Sequence, residues 1–134
     1  KFYKDFSDHL YQQRRDPKNY IDNINEYLKR GKIFFGEMWQ AHDVIIGKLD
    51  ENSMITKITR CRWAEIMKEF DTELSYTLAC YGDFEVIKKN NPNFILTRTQ
   101  TLIQGAEYCD FCVHDTRFKK EIKPPSIEFW DKIC

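Results

Sequence analysis

Reactive side chains crowd into residues 97–115, TRTQTLIQGAEYCDFCVHD, where Arg98, Cys109, Asp110, Cys112 and His114 fall within 19 residues. Such a set offers a cation for a carboxylate, a thiol nucleophile and groups able to move a proton. Arg98 is the natural anchor for a substrate carboxylate, because its planar fork grips one bidentately. Its plainer use is a cross-strand ion pair with Asp110 or Glu107. Asp110 either orients water, binds a cationic amidine or pairs with Arg98. His114, next to Asp115, is either an acid–base group or a residue facing solvent. Cys109-x-x-Cys112-x-His114 contains ligands that zinc accepts, but positions three apart on a strand point to opposite faces. No second paired element completes a site, so no metal is expected. A redox role for the pair is disfavoured, because no helix N-terminus follows to lower a thiol pKa.

Two strands must position these groups. Thr97, Thr99 and Thr101 alternate with Arg98, Gln100 and Leu102, the period-2 pattern of a half-buried strand. After a connector around Gln104–Gly105, Tyr108–Asp115 alternates again. Cys109, Phe111 and Val113 face one way, and Asp110, Cys112 and His114 the other.

Upstream, Phe2, Phe6 and Leu10 form the stripe of a short helix, and Asp16-Pro17 reads as the entry to a second. A helical face runs from Tyr20, Ile21 and Ile24 through Phe34, Phe35, Met38 and Trp39 to His42 and Ile45. It predicts either one long helix, bent and weakened near Gly31, or two with a joint at Arg30–Lys32, the single helix being preferred. Its aromatic face is either core or a homodimer seam, and core is the commoner case. Leu49–Ser53 reads as a turn and Met54–Arg60 as a strand. Short helices follow, with Trp63, Ile66, Met67 and Phe70, then Leu74, Leu78 and Tyr81, as their buried faces. Gly82 ends the second, Asp83 caps a further turn through Lys88, and a strand starts at 94. The tail from Phe118 is extended past Pro124-Pro125, with Phe129 and Trp130 docking it back. Cys61, at a strand end, and Cys80, near a helix end, suit either packing or a site. His9 and His42 read as packing or surface residues.

The resulting expectation is a single domain over 1–134. Its fold class is α+β, a small antiparallel sheet packed against helices. N-terminal helices occupy 1–48, the α+β body 53–115 and the tail 118–134. Twenty-one basic residues balance 21 acidic ones, which argues against a general grip on nucleic acid or an anionic membrane. An odd cysteine count of five and the lack of a signal-peptide pattern suggest reduced thiols and a cytoplasmic setting. The sequence begins at Lys1 rather than methionine.

The segments RCRWAEIMKEF (60–70), LACYGDF (78–84) and LTRTQTLIQGAEYCDF (96–111) resemble the L-2-amino-thiazoline-4-carboxylic acid hydrolase family. The matching positions are Cys61; Cys80 and Asp83; Arg98, Thr99, Thr101, Leu102 and Gly105; and Cys109, Asp110 and Phe111. Many members follow Cys-Asp-Phe with arginine, where Cys112 stands here. The resemblance implies hydrolysis of a cyclic isothiourea to an N-carbamoyl amino acid, a step of cysteine metabolism needing no cofactor. It assigns catalysis to Cys109, Asp110 and His114, and binding of a small carboxylate-bearing substrate to Arg98, Thr99, Thr101, Asp83, Cys61 and Cys80.

A second reading is a non-catalytic ligand-binding or regulatory domain on the same fold, its cysteines packed or holding a metal. A polar pocket joining Arg98, an acid and a cysteine favours the enzyme. An apolar tunnel lined by Phe35, Met38 and Trp39 favours the binder.

Overall fold

The computed structural model describes residues 20–38, 40–119 and 121–134, the side chains at 37 and 38 excepted. The expected helix over 2–14, the Asp16-Pro17 cap, His9 and Trp39 lie outside the described residues. Helix α1, Ile24–Ile33, starts where Asn23 accepts a hydrogen bond from the Glu26 N–H at 2.9 Å. The Glu26 carboxylate in turn accepts from the N–H of Asp22, the residue before the cap, at 3.0 Å, which ties the incoming chain to the first turn. A π-helical turn, Phe34–Met38, ends the helical run.

The long helix does not continue to 48. Residues 42–50 form strand β1, His42–Asp50, in a hairpin with β2, Ser53–Cys61. The β-branched run Val44-Ile45-Ile46 favours a strand, and the Asp50 carboxylate accepts from the Asn52 N–H at 2.8 Å to close the turn. Gly31 lets the helix pack closely on the hairpin, since a Cβ there would sit 2.9 Å from the Ile46 Cδ1.

Three short helices follow: α2, Arg62–Met67; α3, Thr72–Ala79; and α4, Asp83–Asn90. Asp71 caps α3 by accepting from the Leu74 N–H at 2.9 Å. The apolar faces expected to be buried on α2 and α3 are not. Trp63, Ile66, Phe70, Leu74, Leu78 and Tyr81 are all exposed, and Ser75 is the buried residue of α3. The helix-bearing side of the sheet is packed by residues of α1 and α4, such as Ile24 and Ile87.

Strands β3, Phe94–Thr97, and β4, Cys109–Asp115, complete an antiparallel sheet of order β1-β2-β4-β3. The alternation expected along β4 holds. Phe111 and Val113 pack with α1 and α4, whereas Cys112 packs on the reverse face with Ile55, Tyr108 and Trp130. That reverse face is covered by the tail, which is not extended throughout but ends in helix α5, Ile127–Asp131. Trp130 is fully buried there, and the buried Lys57 ammonium donates to the carbonyls of Trp130 and Ile133 at 2.8 and 2.9 Å. The ammonium thus ties β2 to the end of α5, where the Trp130 carbonyl also accepts the Ile133 N–H at 3.2 Å. The fold is α+β, as expected, and no helix among the described residues is long and apolar enough to cross a membrane.

Candidate active site

The strand expected over 97–102 stops at Thr97. Beyond it the backbone turns round the Asp110 carboxylate. One oxygen accepts the N–H groups of Thr99 and Gln100, each at 2.9 Å, and the other accepts the Thr99 hydroxyl at 2.6 Å. A buried carboxylate that satisfies two backbone donors takes the place of strand pairing there. Thr101 and Gln104 close the next turn, and Gly105 supplies the positive φ of 94° that it requires.

Arg98 follows directly on β3, and its side chain is only 1% exposed. It donates to the Asp83 carboxylate at 2.9 Å, to the Tyr76 hydroxyl at 3.0 Å and to the Cys80 carbonyl at 3.2 Å. The rings of Tyr76, Phe84 and Phe111 lie against the guanidinium, with centroids 4.9–5.5 Å away. The partner of Arg98 is therefore Asp83, not Asp110 or Glu107. The carboxylate gripped here belongs to the protein itself. Gly82 occupies the cap position of α4 and Asp83 its first turn, so Asp83 is an ion-pair partner and not the cap.

Between α1, α3, α4 and the helix-bearing face of the sheet lies a cavity of about 520 Å³. Its wall includes Cys61, Cys80, Cys109 and Asp83, together with His42, Phe34, Phe35 and Trp63. Burial raises the Asp83 carboxyl above its usual range, with Arg98 opposing the shift. Burial also pushes the Cys80 thiol up to about 11 and the Cys109 thiol up to about 12. The neighbouring thiols of Cys80 and Cys61 contribute to the rise at Cys109, after burial. The Cys109 sulfur is already engaged, accepting the Leu102 N–H at 3.2 Å.

Cys61 has a different partner. Its Sγ lies 3.3 Å from His42 Nε2. The hairpin creates this contact through an irregularity. Val44 opposes Ile58 but Asp43 opposes Arg60, so β2 carries one extra residue there. Such a bulge reverses the in–out alternation of the strand that holds it. Cys61 thereby turns to the same face as its cross-strand neighbour His42, and both reach the cavity wall. Partial burial holds His42 below the usual imidazole range, which favours its neutral form.

The structure thus gathers Cys61, Cys80, Cys109 and Asp83 round one cavity, with Arg98 bonded to Asp83 from behind. It does not bring Asp110, His114, Thr99 or Thr101 to the cavity wall. His114 is buried, with Nδ1 3.2 Å from the Ser53 hydroxyl and Nε2 2.8 Å from that of Thr97. Cys112 shares its face of β4, away from Cys109. No three His, Cys, Asp or Glu residues among those described are arranged to hold a metal.

His42 is the residue that sequence reasoning passed over. Reading His42-Asp-Val-Ile-Ile as a strand, with a turn at 51–52, would have set it opposite Cys61, because the extra residue in β2 is offset by one in β1 between Lys48 and Asp50.

The family model for L-2-amino-thiazoline-4-carboxylic acid hydrolase matches residues 1–113 of the 134-residue chain. The chain belongs to that family. No curated protein and no solved structure matches it. The family match spans every residue that lines the cavity and ends before the tail that covers the opposite face.

Proposed function

We propose that this member of the hydrolase family opens a cyclic isothiourea by net addition of water, with Cys61 as nucleophile and His42 as proton acceptor. The observation that carries the reading is the 3.3 Å approach of Cys61 Sγ to His42 Nε2 in the wall of a cavity that also holds a carboxylate. Asp83 has one oxygen bonded to Arg98 but keeps 37% of its side chain exposed, so it can accept N–H groups from an amidine.

The steps follow from this arrangement. Cys61 Sγ passes its proton to His42 and attacks the carbon bonded to both the ring nitrogen and the ring sulfur. The adduct collapses by breaking the bond to the ring sulfur, which departs as a thiol carrying the His42 proton. Water then attacks the Cys61-bound isothiourea, giving its proton to His42. Cys61 leaves, is reprotonated, and frees a urea. One water is consumed, and one thiol and one urea are formed.

The test is thiol release from L-2-amino-thiazoline-4-carboxylate and from the unsubstituted 2-amino-thiazoline ring. Folded Cys61→Ala should lose turnover by at least about a thousandfold, in line with removal of a covalent nucleophile, while Cys109→Ala retains it. Full turnover by Cys61→Ala would refute the mechanism. The mainly apolar wall and the raised thiols of Cys80 and Cys109 favour the second reading, a ligand-binding domain. That reading predicts saturable binding with no thiol release from either ring.

A further inference from the structure

Resting on that reading of the cavity, we infer that the true substrate carries a bulky apolar substituent on its amidine-bearing ring, and that a small carboxylate-bearing ring is a poor fit. Size is the first reason. A cavity of about 520 Å³ lies in the range that encloses drug-sized ligands, far more room than a five-membered ring with one amine and one carboxylate fills. Apolar walls are the second. Phe34, Phe35, Ile46, Met54, Val86 and Phe111 surround this space, and polar groups form a minority of the lining. A small polar ring would leave them facing water, whereas an alkyl or aryl group would replace that water.

Charge is the third reason. Arg98 is spent on Asp83, Tyr76 and the Cys80 carbonyl, with only 1% of its side chain exposed. Among the described residues of the wall the cation is Arg30, which already bonds to Glu26 and to the Tyr20 carbonyl. An incoming carboxylate would therefore meet the like charge of Asp83, whereas an amidinium would meet its complement. The polar end of the ligand is thus cationic and its body apolar.

The experiment has a binding arm and a turnover arm, both on the full chain. Calorimetry compares butanamidine, hexanamidine and octanamidine with octanamide and octanoate. Affinity should tighten two- to fourfold for each added methylene, the gain expected from burying apolar surface. Octanamidine should bind at least about tenfold more tightly than octanoate. Val86→Phe, which fills part of the space, should flatten the chain-length series, and the wild-type series decides the matter should that variant not fold. In the turnover arm, 2-amino-thiazoline bearing a 4-hexyl group should release thiol with a higher kcat/KM than the 4-carboxylate.

Ordered amidine binding with no thiol release from any ring would support this inference and sink the hydrolase mechanism. Turnover fastest with the 4-carboxylate would overturn this inference and leave the hydrolase intact. Affinity independent of chain length, or octanoate binding as well as octanamidine, would also overturn it.

Discussion

Replacing Asp110 separates a residue that shapes the loop from one that acts on substrate. Its carboxylate is 1% exposed and receives the backbone N–H groups of Thr99 and Gln100 and the hydroxyl of Thr99. Asp110→Ala would leave two backbone donors without their acceptor. At about 1–3 kcal/mol for each orphaned N–H, the loss is ~2–6 kcal/mol, with no further cost counted for the Thr99 hydroxyl, since Thr99 is exposed and can turn it to water. Asp110→Asn should cost much less. The amide oxygen can still accept both N–H groups and the amide nitrogen can donate to the Thr99 hydroxyl, so only the charge assistance is lost, ~1 kcal/mol. Urea unfolding measures both variants, and thiol release measures the folded fraction. The clamp assignment requires a large stability loss in Ala, a small one in Asn, and near-normal turnover in Asn. Asp110→Asn that folds as the wild type yet loses turnover a hundredfold or more would show that Asp110 acts on the substrate after all.

Three further outcomes are expected. His42 and His114 both fold with pKa values below 6.5, chiefly because burial penalises the imidazolium. The unfolded chain therefore binds protons first, so stability is full above pH 6.5 and falls as the pH drops from there toward the folded pKa values. Urea midpoints at pH 7.5, 6.5 and 5.5 should decline, and less steeply in His114→Gln. Arg98→Lys should destabilise the fold by ~2–4 kcal/mol in thermal or urea unfolding, because an ammonium cannot serve three separated acceptors while lying flat against three rings. A change under about 0.5 kcal/mol would count against the buried pairing. Iodoacetamide at pH 8, followed by mass spectrometry, should label the exposed Cys134 first. With thiols raised to about 11 and 12, Cys80 and Cys109 carry about one thiolate in a thousand and one in ten thousand at that pH. Rapid labelling of Cys109 would contradict its buried, hydrogen-bonded setting.

Local signals carried the parts of the fold that are built from local interactions. The β-branched run of β2, the alternation of β4, the Asp71 cap and the turn at Gly105 are each written in a few adjacent residues. So is the family, through the spaced Cys61, Cys80–Asp83, Arg98–Gly105 and Cys109–Phe111 segments. These settled the α+β class and pointed to Cys61, Cys80, Asp83 and Cys109. Pattern failed where two periods fitted the same letters. Residues 34–45 satisfy a helical face, yet the hairpin with β2 offers 42–50 a ladder of hydrogen bonds that a helix there would forgo. Pattern also failed on α2 and α3, where an apolar stripe says which residues share a face but not whether another surface covers it.

Partner choice was decided in three dimensions. Arg98 had acids near it in sequence, at 107 and 110, and took one 15 residues back because α4 delivers Asp83 to the end of β3. Asp110 was drawn instead to the backbone of a loop that left its strand. His42 and Cys61 share the cavity side of the sheet because an extra residue in β2 turns the cysteine over, and one in β1 between Lys48 and Asp50 keeps the two opposite each other. Residue types along the chain set which chemistry is affordable. Register, bulge and helix placement set which of those groups share a cavity, since a shift of one residue moves a strand side chain to the opposite face.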